Sequence, residues 1–169
     1  RLVTVWWAQW PVVAAGAVDR PAIVLRANRV VACSAPATAA GVRIGQRKRT
    51  AQRRCPAAEL FDDDPDRDAE RFEPAVRAVG EFVPLIEVVE PGWLCFDLRG
   101  PARYFGGAAA FLATLRVRVG TAPGIGVADG WFASAVAVRR AGAGAEQLVP
   151  TGESPAYLDA LPVAWLAEL

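Results

Sequence analysis

The most concentrated acidic residues of this sequence lie just before a predicted helix. Carboxylates are the ligands that Mg²⁺ and Ca²⁺ prefer, so this run is a candidate metal site. It lacks the glycine and the closing glutamate of a calcium-binding loop. Acidic side chains also stabilise the first turn of a helix, and Asp64 precedes Pro65 as a helix cap would. We therefore interpret the run as a solvated loop that leads into a helix, and we predict no metal and no cofactor. Its members are Asp62, Asp63, Asp64, Asp66 and Asp68.

Basic residues are concentrated in a second run, which places six positive charges within residues 43–54. On a helix, Arg47, Arg54 and Arg43 would share one side, and Arg49 and Arg53 another. A run of this kind is either a solvated helix face or a contact surface for the DNA backbone, and the sequence leaves both interpretations open. The six candidates for DNA binding are Arg43, Arg47, Lys48, Arg49, Arg53 and Arg54.

Other residue types exclude several classes of site. The sequence has no histidine, which removes the commonest general base and the usual catalytic triads. Cys33, Cys55 and Cys95 are far apart and odd in number, so we predict buried free thiols rather than a zinc site. The glycines at 124, 126 and 130 do not have the spacing of a dinucleotide-binding motif, so we predict roles in turns and close packing.

Composition indicates an ordinary globular protein. The 169 residues are 53% hydrophobic and carry a net charge of +1, enough for one compact domain or two small subdomains that share a core. No apolar run of about 18 residues is free of charge or proline, and no signal peptide is evident. We therefore expect a cytoplasmic protein without a membrane span. The sequence ends abruptly on an apolar residue, so we expect a fragment of a longer chain.

The pattern of apolar residues predicts an α+β fold, with a sheet covered by helices on one face. Residues 2–10 and 87–98 are predicted as neighbouring core strands, the second folded into a hairpin at Pro91-Gly92. A further hairpin is predicted at residues 22–33, with its turn at Ala27-Asn28. Ser34 is predicted to cap a helix. The predicted helices begin near Trp10-Pro11 and cover 35–40, 45–54, the segment from Pro65 onward, 104–115, 131–140 and two short pieces within 154–169; residues 125–128 are a predicted strand.

Six blocks in this sequence resemble one known family. They are WPVVAA (10–15), ANRVVACS (27–34), AAGVRIGQRKRTAQRRCP (39–56), DPDRDAERFEP (64–74), RGPARYFGG (99–107) and GIGVADGWFA (124–133). Together they resemble the N-terminal palm and fingers of Y-family translesion DNA polymerases, most closely the ImuB-type branch. The resemblance implies a ferredoxin-like palm sheet formed by residues 1–10 and 66–150, with a small fingers subdomain inserted at 11–65. It places the start of the thumb, or linker helices, at 151–169.

The resemblance also implies that the metal site is degenerate. Active members of the family carry an Asp-x-Asp pair at the end of the first strand, which corresponds here to Ala8 and Trp10. They carry an Asp-Glu pair at the turn of the central hairpin, which corresponds to Gly92 and Trp93. Mg²⁺ takes oxygen ligands, and none of these four side chains offers one.

A second set of functional residues is lost at the positions that would bind the incoming triphosphate. The family's Tyr-x-x-Arg pair corresponds to Ala35 and Thr38, and a lysine on a later helix corresponds to Ser134. Metal ions and cationic side chains supply most of the stabilisation of a phosphoryl-transfer transition state. The resemblance therefore implies a catalytically inactive polymerase homologue.

The family implies a function as a scaffold in damage-induced mutagenesis and translesion synthesis. The implied partners are a sliding clamp, an error-prone replicative-type polymerase and a RecA-like accessory protein, bound mostly through regions outside this chain. DNA is a further expected partner. The expected location is the bacterial cytoplasm, with association to the nucleoid when the protein is engaged.

Two other functions remain as alternatives. An active Y-family polymerase would need a relocated carboxylate site, for which Asp97 and Asp129 are the candidates. A single-stranded DNA-binding module would use the basic run. The tryptophans raise a smaller question, since Trp7 or Trp10 could stack a base or fill the vacated metal pocket instead of packing in the core.

Overall fold

The computed structural model describes residues 1–120, 122–163 and 165, and it divides the chain into two compact units. The first unit consists of Arg1–Ala8 and Glu73–Leu169, and the second unit consists of Gln9–Phe72. The assignment of palm, fingers and thumb to particular residues stays a prediction. The first unit contains Ala8, Gly92 and Trp93, three of the positions assigned to the metal site, and the second unit contains the basic run.

The elements along the chain are β1 (Leu2–Trp6), α1 (Trp10–Ala14), β2 (Ala22–Arg26), β3 (Arg29–Cys33), α2 (Ala35–Ala39), α3 (Lys48–Arg54), β4 (Glu59–Asp62), α4 (Pro65–Gly80), β5 (Glu87–Glu90), β6 (Trp93–Asp97), α5 (Arg99–Tyr104), α6 (Ala108–Val119), β7 (Gly124–Ala128), α7 (Trp131–Ala141), β8 (Glu146–Leu148) and α8 (Ser154–Asp159). This mixture of sheets and helices confirms the predicted α+β fold class. No helix of the described residues is long and apolar enough to cross a membrane.

The sheet of the first unit has five strands in the order β5-β6-β1-β7-β8. β1 runs antiparallel to both of its neighbours, β6 and β7. Its register places Trp6 opposite Trp93 on one side and opposite Gly124 on the other. Val3 and Val5 of β1 are fully buried, as expected for the middle strand of a sheet. The predicted pairing of the first strand with the central hairpin is therefore confirmed.

Helix α7 packs against β7 and β1 at very short range. A Cβ atom on Gly126 would lie only 2.2 Å from the backbone oxygen of Ser134, so no larger residue fits there without movement of the backbone. A Cβ on Gly124 would lie 2.6 Å from the oxygen of Gly142. The close-packing role predicted for these glycines is confirmed.

The sheet of the second unit has three strands in the order β3-β2-β4. β2 and β3 form the predicted hairpin, and both turn residues have left-handed backbone conformations, with φ of 47° at Ala27 and 63° at Asn28. Two successive positive φ angles are typical of a type I′ turn, whose twist matches that of the strands. Ser34 caps α2, and its Oγ accepts hydrogen bonds from the backbone N–H groups of Ala22 and Ala37.

The expected first strand at residues 2–10 is too long, because β1 stops at Trp6, whereas the helix start predicted near Trp10-Pro11 is confirmed by α1. Gln9 adopts a left-handed conformation, φ 56°, which turns the chain from the strand into the helix. Its side chain holds this turn, since Oε1 accepts a hydrogen bond from the N–H of Cys33. A glutamine does not mark such a turn in a sequence, whereas glycine or asparagine would.

Three short elements were not predicted: β4, α5 and β8. β4 is half exposed and overlaps the acidic run, so it lacks a clear apolar alternation, and β8 has only three residues. α3 begins at Lys48 rather than directly after Gly45, so Arg47 is its N-cap residue, and Arg43 also lies outside the helix. The helix predicted at 104–115 is α6, which begins four residues later. In the tail α8 is present, whereas the second predicted helical piece falls mainly on residues outside the described part of the chain.

Candidate functional site

The end of β1 and the turn of the β5–β6 hairpin lie side by side in the first unit. The backbone N–H of Trp7 donates to the carbonyl of Gly92 at 2.8 Å. Gly92 has a φ of 92°, which a glycine adopts without strain at this tight turn. Trp93 follows and lies opposite Trp6 in the register. The geometry therefore brings together strand ends that the resemblance assigns to a metal site.

Three tryptophans and one arginine occupy this edge of the sheet, and we call them the tryptophan cluster. The guanidinium of Arg139 lies over the ring of Trp6 at 4.7 Å and over that of Trp93 at 5.3 Å. Trp93 stacks on Trp131 with ring centroids 6.0 Å apart. Trp93 is buried, while Trp131 is 37% exposed and forms the outer surface of the cluster. α7 supplies both Arg139 and Trp131, so its packing on the sheet positions the cluster.

The chemistry of the tryptophan cluster is unsuited to a divalent cation. Indole rings have no oxygen ligand, and a guanidinium is a donor that stays protonated in proteins. Its permanent positive charge repels a second cation, and this repulsion increases where water is excluded. The cluster instead stabilises itself, because arginine above a tryptophan face is a favourable cation–π arrangement.

The two positions assigned to the Asp-x-Asp pair lie in different units. Ala8 is half-buried and follows β1, whereas Trp10 is the first residue of α1. Trp10 packs edge-on against Phe72, with ring centroids 5.0 Å apart, and its Nε1 donates to the carbonyl of Asp68 at 2.9 Å. Because β1 ends at Trp6, the pair of positions at the observed strand end with this spacing is Trp6 and Ala8. Neither Trp6 nor Ala8 offers a carboxylate, so moving the pair of positions by two residues still places no metal ligand at the end of β1.

Trp7 and Trp10 belong to the core rather than to an exposed stacking surface. Trp7 is 7% exposed and Trp10 is 8% exposed. A base needs an accessible ring face, and neither residue offers one. Core packing, rather than base stacking, is therefore the role that the structure gives to these two residues.

The three positions assigned to the triphosphate clasp have different environments. Ala35 and Thr38 lie one turn apart on the exposed side of α2, and neither carries a phenol or a cation. Ser134 is fully buried on α7. Its Oγ lies 2.7 Å from the hydroxyl of Thr4 and donates to the carbonyl of Trp131 at 2.8 Å. Ser134 therefore joins α7 to β1, and its correspondence to a phosphate-binding lysine stays a prediction.

The two acids considered for a relocated site lie at the opposite end of the sheet from the tryptophan cluster. Leu2 pairs with Asp97 on one side and with Ala128, which precedes Asp129, on the other. Because Trp6 is four residues further along β1, about 13 Å separate the two ends. Asp97 and Asp129 are on different neighbours of β1, so two strand spacings, about 10 Å, separate their backbones.

Both of these carboxylates are held by nearby donors. Arg99 forms side-chain hydrogen bonds with Asp97 and holds the pKa of its carboxyl at about 2. The Asp129 carboxylate accepts hydrogen bonds from the Gly152 N–H at 2.7 Å, from Ser154 and from Arg1, and these bonds lower its pKa. Each side chain therefore has a structural role as an ionised acceptor.

The acidic run leads into a helix, as predicted, but it is not wholly a solvated loop, because Asp62 ends β4 and Asp68 is buried on α4. Asp64 Oδ1 accepts a hydrogen bond from the N–H of Arg67, which confirms it as the cap of α4. Asp63 pairs with Arg26 at 2.6 Å, and Asp68 pairs with Arg67 at 2.7 Å. Among residues 1–120, 122–163 and 165, no group of three or more histidine, cysteine, aspartate or glutamate side chains has the geometry of a metal site. The three cysteines are free and buried, as predicted.

The six basic candidates separate into distinct places on the second unit. Arg47, Lys48 and Arg49 line a hollow of about 710 Å³. Arg49 and Arg53 line an adjoining hollow of about 780 Å³. Arg43 instead donates to the carbonyls of Thr38 and Val42. The guanidinium of Arg54 lies beside Gly41, where a Cβ would be 3.1 Å from its Nη1.

Sequence reasoning missed three residues of these sites. Trp6 was placed on the first strand but not at the site, because the resemblance assigned the strand end to Ala8 and Trp10. Arg139 lies far along the chain from Trp6, and no local pattern connects them. Arg29 lines the first hollow together with the basic run. Its signal was available, since it lies within a long stretch of the sequence that contains no acid.

The fold is that of Y-family DNA polymerases. A ternary complex of Dbh matches with a TM-score of 0.78, at 13% identity over 97% of this chain and 52% of that one. DinB from Sulfolobus solfataricus matches with a TM-score of 0.75, again at 13% identity over 97% of this chain and 52% of that one. An insertion ternary complex of Dbh DNA polymerase matches with a TM-score of 0.77, at 13% identity over 97% of this chain and 53% of that one. The chain thus spans about half the length of these structures.

The sequence model of the impB/mucB/samB family matches residues 8–138, which is most of the chain. The chain belongs to the impB/mucB/samB family. No curated protein matches it. The predicted recognition is therefore confirmed at the level of the family and of the polymerase fold.

Proposed function

We propose that this chain is the N-terminal part of a non-catalytic, ImuB-type polymerase homologue that serves as a scaffold in damage-induced mutagenesis. Family membership and the polymerase fold support the setting of translesion synthesis. The proposal adds that the fold is retained while nucleotide transfer is lost. A protein of this kind would hold partners at a damaged template instead of extending a primer.

The observation that carries the proposal is the tryptophan cluster at the strand ends. Gly92 and Trp93 occupy the hairpin positions at which the resemblance expects an acidic pair, and Trp93 is buried beneath Arg139. A two-metal site needs carboxylates that bridge and orient the ions. Here one edge of the sheet is packed with apolar rings and carries a fixed positive charge.

The alternative of a relocated catalytic site has little support. Asp97 and Asp129 flank the far end of β1 and are held by Arg99 and Arg1 respectively. A shared metal pair would require their carboxylates to converge within about 4 Å of two ions. Their positions on separate strands oppose that convergence.

The proposed partners follow from the ImuB-type resemblance. They are a sliding clamp, an error-prone replicative-type polymerase and a RecA-like accessory protein. Neighbours of the same fold were determined as ternary complexes, which supports DNA as a further partner. Because the chain spans about half of those neighbours, we propose that most partner contacts lie in the rest of the protein. The proposed location is the bacterial cytoplasm, at the nucleoid when engaged.

Equilibrium binding of Mn²⁺ tests the proposed loss of the metal site. We expect no stoichiometric binding at micromolar Mn²⁺, because the exposed aspartates lack the convergence that a tight site needs. An active polymerase of the same fold provides the positive control. Stoichiometric binding that is lost in the double variant Asp97→Asn, Asp129→Asn would contradict the proposal and would favour the relocated site. The double variant Asp62→Asn, Asp64→Asn controls for weak binding by the acidic run.

A further inference from the structure

Strand β5 is one of the two outer strands of the sheet in the first unit. Within the described residues it pairs with β6 alone, so its other edge is open. Outside that pairing, residues 84–90 make no backbone hydrogen bond to another described residue. Backbone N–H and C=O groups along an open edge can pair with a further strand. β5 therefore offers a template for an added strand.

Apolar side chains lie exposed along this edge. All four residues of β5 are exposed, with Val88 at 44% and Val89 at 39%. Leu85, two residues before the strand, is 83% exposed. Single exposed apolar residues are common on protein surfaces, whereas a group of them beside one another marks a contact surface for another protein. The edge of β5 has this second character.

A hollow of about 500 Å³ lies at the beginning of β5. It is formed by the end of α4 and by the segment that leads from this helix to the strand. Ile86 lines it and directly precedes β5. The hollow therefore gives an added strand a place for one apolar side chain. Its lining residues are Val76, Arg77, Gly80, Glu81, Val83, Pro84 and Ile86.

Two acids decide which strand fits this edge. Glu87 and Glu90 occupy the two ends of β5, and in the part of the chain that the structure describes neither forms an ion pair. If β5 of a second copy paired antiparallel along all four residues, Glu87 of each copy would lie opposite Glu90 of the other. Like charges directly opposite each other destabilise a pair of strands. A strand with basic residues at these two places is complementary in charge.

The shape of the edge also limits what can pair with it. The register between β5 and β6 shifts between Val88 and Glu90, so Val89 is an extra residue of a β-bulge. Pro84 and Pro91 lie on either side of the strand and have no backbone N–H to donate. Bulges and prolines reduce unselective pairing at an edge. The partner strand must therefore be short and match the charges of β5.

We propose that β5 is a docking site for an extended segment of another protein, which adds a strand to the sheet and places lysine or arginine opposite Glu87 and Glu90. Main-chain hydrogen bonds supply affinity in this mode of binding, and side chains supply selectivity. The exposed valines and the hollow receive the apolar residues of the segment. The proposal goes beyond the scaffold function, because it requires neither the loss of polymerase chemistry nor DNA.

The test titrates the ¹⁵N-labelled chain with a short synthetic peptide in which two valines are flanked by lysines, and follows the amide signals by NMR. We expect saturable shifts at residues 85–90, complete at about 1 mM peptide. The signals of β8, the other outer strand of the sheet, should not move. A peptide with proline in place of the first valine keeps its charge but loses a strand donor, so it should bind about tenfold more weakly.

Charge reversal tests the complementarity directly. In the double variant Glu87→Lys, Glu90→Lys two attractions become repulsions, so affinity for the lysine peptide should fall about tenfold. A peptide with glutamates in place of the lysines should bind this variant better than it binds the unaltered chain. The control Glu153→Lys, Asp159→Lys changes two exposed acids outside β5 by the same charge and should alter affinity by less than about twofold. Urea unfolding verifies that each variant is folded.

Four results would overturn the proposal. The absence of shifts at about 1 mM peptide would show that the edge does not bind such a strand. Equal shifts at β5 and β8 would show unselective attraction, and equal binding of the proline peptide would show that no strand is added. A dimer of the unaltered chain in sedimentation equilibrium that is disrupted by Val88→Lys would show that a second copy occupies the edge.

Discussion

Trp93 shows how one residue changes the chemistry of a whole edge of the sheet. It occupies the first position of β6, opposite Trp6, and is almost completely buried. An acid at the same place would project oxygen ligands, whereas the indole accepts stacking from Trp131 and a cation above its ring. Trp93 is therefore one member of a packed cluster. We infer that building a metal site at this place would need several substitutions and not one.

Arg139 should contribute to stability through the tryptophan cluster. In the variant Arg139→Met the side chain keeps much of its apolar length but loses its charge over two rings. We expect a loss of about 1–2 kcal/mol in the free energy of unfolding, measured with urea. The variant Arg103→Met, at an exposed position, should change it by less than about 0.5 kcal/mol. Equal effects in the two variants would show that the cluster is not stabilised by the cation.

Cys95 should make stability depend on pH in the alkaline range. Burial, and then the Glu87 carboxylate that accepts its hydrogen bond at 3.7 Å, raise the pKa of the Cys95 thiol to about 11. The unfolded thiol ionises near about 8.5, so the folded state holds this proton more tightly. The contribution to stability is complete below the unfolded pKa and is lost as pH rises from about 9 to 11.

Urea midpoints measured between pH 8 and pH 11 test this expectation. The midpoint of the unaltered chain should fall more steeply than that of the variant Cys95→Ala, in which the other titrating groups are the same. Parallel curves would mean that Cys95 ionises equally easily in the folded and unfolded states.

The elements that could be predicted from the sequence are those with a strong local signal. Asn28 in the I′ hairpin, the Ser34 cap and the glycine turn at Gly92 involve residue types that favour their conformations, whereas Ala27, with a φ of 47°, does not. β4 and β8 depend on pairing with distant strands, so no local pattern announces them. The end of β1 depends on a hydrogen bond between Gln9 and Cys33. The residues of the tryptophan cluster, and Arg29 with the basic run, likewise come together through contacts between distant parts of the sequence, which no local pattern shows.

The close contact between α7 and β7 predicts that a small substitution in β7 lowers stability strongly. In Gly126→Ala the new methyl group would meet backbone atoms of α7, including the oxygen of Ser134, which cannot rotate away. The helix must shift, and we expect a loss of about 3–5 kcal/mol in the free energy of unfolding. The control is Gly130→Ala, since a Cβ there meets no atom within 4 Å. A loss of less than about 1 kcal/mol in Gly126→Ala would contradict the close packing described here.

At the scale of the whole molecule, the two units carry different kinds of information about function. The first unit keeps the sheet of a DNA polymerase, with an edge packed by the tryptophan cluster. The second unit carries the two hollows that residues of the basic run line. Composition alone indicated neither, because acids elsewhere in the sequence balance the basic run. The resemblance identified the family and the fold, whereas the packing of the tryptophan cluster and the position of Arg29 beside the basic run required three-dimensional positions.

Template-dependent addition of a single nucleotide to a primer tests the central claim most directly. The chain is incubated with a primed template, the four deoxynucleoside triphosphates and either Mg²⁺ or Mn²⁺, and an active polymerase of the same fold serves as the positive control. The proposal predicts no extension above the background without protein with either metal, because no carboxylates are placed to hold the ions. Extension that follows the template and is lost in the double variant Asp97→Asn, Asp129→Asn would contradict it.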